Sequence, residues 1–256
     1  MTTRESDRLP RTRLHVGERL ARNTPVTLGE RAAHRLRTVL RLGPGDGVRL
    51  FSARDGEWLA RLDRLDRQVV TAVPERRLRP PAAGTEELWL CFAPLKKDAL
   101  DTLIAGATEL GVTRFRPVIT RHTDVARVNV ERLTAQAVEA AEQCERLDVP
   151  VVDDPVPLAG LLADWPKTRG LVVLAEHGKV QPLTYFAATY GDLPIALLVG
   201  PEGGFAADEL DELRALETAV TAGLGPRILR AETAALAALA IWQAVAGDGA
   251  DRPPGR

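Results

Sequence analysis

Two unbroken apolar runs, GLVVLAE at 170–176 and IALLVG at 195–200, constrain this chain more than any other feature. A strand with one wet face alternates apolar and polar residues, so continuous runs like these belong to strands covered on both faces. Covering both faces takes helices, and helical patterns do surround the runs. Leu100, Leu103, Ile104, Ala107 and Leu110 recur at helical spacing and end at Gly111. Residues 131–147 read as a second helix, AADELDELRALE as an amphipathic one, and TAALAALAIWQAVAG as an apolar, buried one. With LWLCFAPL (88–95) and RFRPVIT as further strands, the alternation predicts an α/β domain with a mostly parallel sheet.

The first third reads differently. HRLRTVLRL (34–42) follows a helical pattern, with Leu36, Val39 and Leu40 on one stripe and three arginines elsewhere. GPGDG (43–47) forces a turn, and VRLFSA, the turn at 54–56 and EWLARLDRL form a β-hairpin. QVVTAV (68–73) is another strand, and PERRLRPPAAGTEE (74–87), rich in Pro and charge, is read as a linker. The expected organisation is a small, β-rich, RNA-binding barrel over residues 1–80 and the α/β domain over 81–256. Charge divides at the same place. Residues 1–81 hold 18 arginines, no lysine and 10 acids, whereas the rest hold 16 basic and 25 acidic residues. Such asymmetry points to nucleic-acid contact by the first segment.

Other classes are excluded by composition. No run approaches the roughly 18 apolar residues of a membrane span. The polar start MTTRESDRLP resembles neither a secretory signal nor a transit peptide, and both ends are expected to be loose tails. Cys91 and Cys144 make no disulfide framework, and neither has metal-ligand spacing. The expectation is a cytoplasmic protein, with no membrane segment and no metal.

Three loops follow apolar strands: AEHG (175–178), GPEGG (200–204) and GLGPRILRAET (223–233). Ligands of open α/β sheets lie outside the carboxyl ends of the strands, so these loops are the expected rim of a pocket. GPEGGF lacks the spacing of a dinucleotide fingerprint and the Lys of a P-loop. Glu202 would also repel a pyrophosphate. A ligand with hydroxyls and a positive centre fits better, and S-adenosylmethionine is one. The competing reading of GPEGG is a tight strand-to-helix turn whose acid favours the helix dipole.

LLVGPEGGF, followed about 20 residues later by LGPRILRAETAALAAL, resembles the paired signature of the RsmE family, the 16S rRNA uridine-N3 methyltransferases of the SPOUT superfamily. RLHV (13–16), HRLRTVLRLGPGDGVRLF, APLKKDALD, ATELGVTRFRPVITRHT and EAAEQCERLDVP extend the likeness almost end to end. The resemblance implies a PUA-like N-terminal barrel, a trefoil-knotted α/β domain binding S-adenosyl-L-methionine, and a homodimer acting on 16S rRNA of the small ribosomal subunit. It further implies a cofactor pocket walled by Val199, Gly200, Pro201, Glu202, Gly203 and Gly204. Leu224, Gly225, Arg227, Ile228 and Leu229 form a second wall, Leu174, Ala175 and Glu176 a third, and Thr233 is either a contact or a helix-entry residue. Arg230 and Arg121 are candidates to stabilise charge on the ring carbonyls, and Glu232 or Glu202 to accept the proton or orient a partner. Arg11, Arg13, Arg37 and Arg41 are candidate RNA contacts, with Arg11 and Arg13 alternatives for one family arginine. One departure is Ala105-Gly106, where the family has Gln-Lys. Two rivals remain: a noncatalytic RNA-binding protein with a degenerate pocket, and a nucleotide-binding α/β enzyme acting on small molecules.

Overall fold

The computed structural model describes residues 9–66, 69–81, 87–125, 127–175 and 180–251. The chain divides into two compact units, one comprising residues up to 84 with 141–148, the other residues 85–140 and 149–253.

The first unit is a five-stranded sheet around one helix. Its strands are β1 (Arg13–His15), β2 (Val26–Leu28), β3 (Gly47–Ser52), β4 (Gly56–Leu65) and β5 (Val70–Arg79), in the order β1-β3-β4-β5-β2. β1 runs parallel to β3, and the remaining pairs are antiparallel. β3 and β4 form the expected hairpin, closing at Ser52 and Gly56. Leu14, Val16, Val48, Leu50, Ala60 and Leu62 meet in its core with Leu36, which comes from the helix. That helix, α1 (Glu30–His34), continues into a π-helical turn over Arg35–Val39, so the expected regular helix loosens midway. The linker reading fails over Pro74–Arg79, which belong to β5. Pro74 has no N–H for the ladder, and it is tolerated because the β4–β5 register shifts between Leu59 and Ala60, opposite it.

The interior of this unit also holds charge. Arg13 and Glu57 are each 1% exposed at the side chain and pair at 3.0 Å. The Arg13 guanidinium also donates to the carbonyl oxygens of Ala141 and Arg146 and lies over the Phe51 ring. Burial pulls its pKa down, with Glu57 opposing. Each of its three nitrogens thus donates inside the protein and the side chain is buried, which sets Arg13 against its expected role as an RNA contact. Residues 141–148 belong to this unit for the same reason. Their carbonyls, with Glu142 and Glu145, satisfy Arg13, Arg35, Arg49 and Arg79.

The second unit is a parallel sheet covered on both faces. Its elements in chain order are β6 (Leu88–Phe92), α2 (Lys97–Glu109), β7 (Arg114–Ile119), α3 (Val130–Gln143), β8 (Val151–Val152), β9 (Val156–Pro157) and α4 (Leu158–Ala163). They continue as β10 (Gly170–Leu174), β11 (Gln181–Pro182), α5 (Leu183–Tyr190), β12 (Ile195–Val199), α6 (Ala207–Ala215), β13 (Ala219–Gly223) and α7 (Ala231–Val245). The sheet order is β11-β13-β10-β12-β6-β7-β8, with β9 on β7, and every pair is parallel. The two apolar runs are β10 and β12 at its centre. Along each, alternate residues enter opposite cores: Val172, Leu197 and Val199 pack with α2, α5 and α7, while Leu171, Val173, Ala196 and Leu198 pack with α4 and α6. Each such Leu or Val contributes about 1.5–3 kcal/mol by leaving water. From β12 the chain crosses over β10 to reach β13, and α7 then returns to pack on α2, α5 and β12. α7, expected to be apolar and buried, is buried on one side, along Ala231, Ala235, Ala238, Leu239 and Trp242.

Candidate active site

Because β10, β12 and β13 run parallel, the loops that leave them emerge at one edge of the sheet. Those loops enclose a cavity of about 610 Å³, within the ordinary range for a cofactor or small-molecule site. Its wall contains Leu174, Ala175, Val199, Gly200, Pro201, Glu202, Gly203, Gly204, Leu224, Gly225, Arg227, Ile228 and Leu229. Thirteen of the fifteen residues assigned to the pocket from sequence therefore meet in one place. Thr233 is exposed on the first turn of α7 and does not line the cavity, and Glu176 lies outside the described residues. Sequence reasoning missed Val180, Phe205, Leu210, Leu213, Arg214 and Thr221, among others. Helical spacing on α6 could have found Leu210 and Leu213; only the sheet order brings Thr221 of β13 to the same wall.

The GPEGG turn is closed by the Gly204 N–H donating to the Pro201 carbonyl at 2.9 Å, and Gly204 has φ +68°. Gly225 has φ +102°, and a Cβ there would meet no atom within 4 Å. Both glycines thus use the left-handed region at low cost and leave open space beside the backbone. Glu202 is exposed at the rim, and Ile228, 69% exposed, presents bare apolar surface there. Arg214 pairs with Asp211 at 3.0 Å, whereas Arg227 has no partner among the described residues.

The catalytic candidates are distributed unevenly. Arg230 is the exposed residue just before α7, without an ion-pair partner among the described residues, and adjoins the wall residue Ala231. Glu232 lies in the first turn of α7, and its Oε2 is buried with no hydrogen-bond partner. Arg121 does not line the cavity; its guanidinium pairs with Asp208 and its N–H donates to Glu209 Oε1 at 2.8 Å. Among the RNA candidates, Arg11 and Arg41 are exposed and without a partner among the described residues. Arg37 donates to the Asp66 carbonyl at 2.7 Å. Of the four tryptophans, Trp58, Trp165 and Trp242 are buried and Trp89 is stacked by Arg169, so all four serve packing. Among the described residues no group of three or more His, Cys, Asp or Glu could hold a metal ion, and no helix is long and apolar enough to cross a membrane.

Comparison with known proteins bears on this geometry. A family model for the RNA methyltransferase domain matches residues 83–243. The ribosomal RNA small subunit methyltransferase E of Rickettsia conorii is 37% identical over 231 residues, 89% of this chain and 93% of that one. Its counterpart in Bacillus subtilis is 32% identical over 219 residues, 80% and 84% of the two chains. The crystal structure of the Neisseria gonorrhoeae protein of that name, bound to S-adenosyl methionine, is 28% identical with a TM-score of 0.77, covering 93% of this chain and 98% of that one.

Proposed function

The chain belongs to the ribosomal RNA small subunit methyltransferase E family, and from that premise we propose that it methylates N3 of a uridine in 16S rRNA. It is an S-adenosylmethionine-dependent rRNA methyltransferase of the SPOUT α/β class, with a PUA-like barrel preceding the catalytic domain. The observation that carries the reading is the open cavity at the ends of β10, β12 and β13, with Glu202 at its rim and no phosphate-binding pattern in its turns. Side chains of this protein do not fill it, which argues against a degenerate pocket.

The residues present fit the cofactor. The volume suffices for an adenosyl group, and the backbone around Gly204 and Gly225 allows close approach. Leu174, Val199, Leu224 and Ile228 supply apolar surface for an adenine ring, Glu202 meets hydroxyls or positive charge, and unpartnered Arg227 suits a carboxylate. When bound, S-adenosylmethionine supplies an electrophilic methyl group on a sulfonium.

The target nitrogen carries a weakly acidic proton and is a poor nucleophile until that proton leaves. Glu232 Oε2, buried and unpartnered one residue along α7 from the wall residue Ala231, is the proposed acceptor for it. Arg230 is free to stabilise the negative charge that develops on the ring carbonyls as the proton departs. Arg11, Arg37 and Arg41 of the barrel are the proposed contacts to RNA phosphates. A homodimer is part of the reading. The outward side of α7 exposes Thr233, Ala240, Ala244 and Val245, with no charge among them, as a second copy would require. The protein would work in the cytoplasm, where its two cysteines remain free.

The test incubates the protein and labelled cofactor with small ribosomal subunits lacking the modification, then maps the methylated nucleosides. Label in 3-methyluridine is expected; label on cytosine, adenine or ribose would overturn the assignment.

A further inference from the structure

The GPEGG turn has little to hold it in one shape by itself. Its internal hydrogen bond runs from Gly204 to Pro201, and two successive glycines leave the remaining dihedrals free. The constraint comes from a loop distant in sequence. After β7, Thr120–Thr123 form a tight bend, with the Thr120 N–H donating to Thr123 Oγ1 at 2.9 Å and the Thr123 N–H to the Thr120 carbonyl at 3.2 Å. At its tip His122 places Nδ1 at 3.2 Å from the Gly203 carbonyl oxygen and 3.0 Å from that of Gly204. Both acceptors are carbonyls, so Nδ1 carries the proton and donates. Among the described residues neither carbonyl has another partner. A second attachment fixes the bend itself. The buried Glu209 carboxylate accepts from the Arg121 N–H through Oε1 and from the Ala206 N–H through Oε2, each at 2.8 Å, and Arg121 pairs with Asp208.

We propose that His122 is a positioning residue for the cofactor, holding the carbonyls of Gly203 and Gly204 so that the turn is already in its binding shape before the ligand arrives. The inference rests on the cofactor reading above and adds a residue that does not line the cavity. A turn ordered in advance spares the ligand the entropy of ordering it, so the effect falls on affinity and leaves the chemical step nearly unchanged. The same contacts explain Arg121, which serves this latch through Asp208 and Glu209 instead of facing the cavity.

The experiment measures S-adenosylmethionine binding to the full-length protein by calorimetry, with steady-state kinetics on small subunits. His122→Ala should raise Kd and KM for the cofactor about tenfold while kcat falls less than about twofold, as loss of one shared hydrogen bond predicts. His122→Asn should restore Kd to within about threefold, because its Nδ2 branches from the chain where Nδ1 does and keeps a donor. An unchanged Kd in His122→Ala, equal weakening in both variants, or a fall in kcat at constant KM would each overturn the proposal. Absence of binding by the unaltered protein would instead strike the cofactor reading itself, so the two failures are distinguishable.

Discussion

The two units bury a sheet by opposite means. The α/β unit fills the space above and below β10 and β12 with Leu, Val and Ala, and its buried polar side chains among the described residues are Thr108, Thr120, Arg169 and Glu209. The barrel unit, with a thinner core, admits Arg13 and Glu57 to its interior and surrounds them with Arg49, Arg79 and main-chain carbonyls. Eight arginines of the first 81 residues, Arg13, Arg19, Arg35, Arg49, Arg54, Arg61, Arg64 and Arg79, hold carboxylates in ion pairs. The excess of arginine in the first third is therefore partly architectural, and among its described residues Arg11, Arg22, Arg31, Arg41 and Arg76 are exposed without an ion-pair partner. Formal charge along a sequence overstates the charge a surface offers, because pairing is a tertiary property.

The contrast can be broken most severely at Glu57. Glu57→Ala leaves Arg13 buried without its carboxylate, which should cost about 3–5 kcal/mol. The barrel should then melt first while the α/β unit still binds cofactor. A single melting transition at the original temperature would show that the buried pair does not hold the barrel. The next largest effect lies in the other unit. Arg230→Ala should lower kcat by about 10²–10³ with Kd for the cofactor unchanged, the size expected for losing one donor to developing charge. A loss confined to cofactor binding would move Arg230 from the chemistry to the pocket wall. Gly225→Ala is smaller. At φ +102° an alanine is strained by about 1–3 kcal/mol, so cofactor affinity should fall roughly tenfold while RNA affinity holds.

The smallest effect is a pH dependence in the barrel. Burial alone would raise the Asp55 carboxyl, but the Leu20 N–H, Arg54 and Arg19 outweigh it and hold the pKa below its ordinary value. A carboxylate depressed in the folded state contributes stability above its unfolded pKa of about 3.9, and that contribution is lost as pH falls through the folded value. Asp55→Asn should flatten the acid limb of the barrel's melting curve, measured by circular dichroism between about pH 5 and pH 2. An acid limb unchanged by the substitution would assign the sensitivity to other carboxylates.

Much of this was legible in the chain, and the misses have definite causes. The central strands could be read because continuous apolar runs have few alternatives, and the glycine turns because their residue types are restrictive. Pro74 and the charges after it looked like a linker, since a register shift that accommodates a proline leaves no local trace. Arg13 looked like an RNA contact because burial of an arginine requires a carboxylate 44 positions away, which no window of sequence displays. Gly106 stands where the family has Lys. In the structure a Cβ there would lie 2.8 Å from Leu236 Cδ2, so the glycine lets α2 and α7 approach. His122 carried no signal at all, for its hydrogen bonds reach 81 and 82 residues along the chain.

By itself, then, the order of residues determined the layered α/β plan, the hairpin of the barrel and the three loops that could hold a ligand. Those follow from periodicity and backbone permissiveness, which act over a few neighbouring positions. The tertiary structure alone decided which α6 and β13 residues complete the cavity wall, which arginines are consumed in ion pairs, and which side chain fixes the glycine turn. Such outcomes depend on sheet order and on groups far apart in the chain, and the distance dependence of hydrogen bonds and ion pairs makes them invisible until the chain has folded.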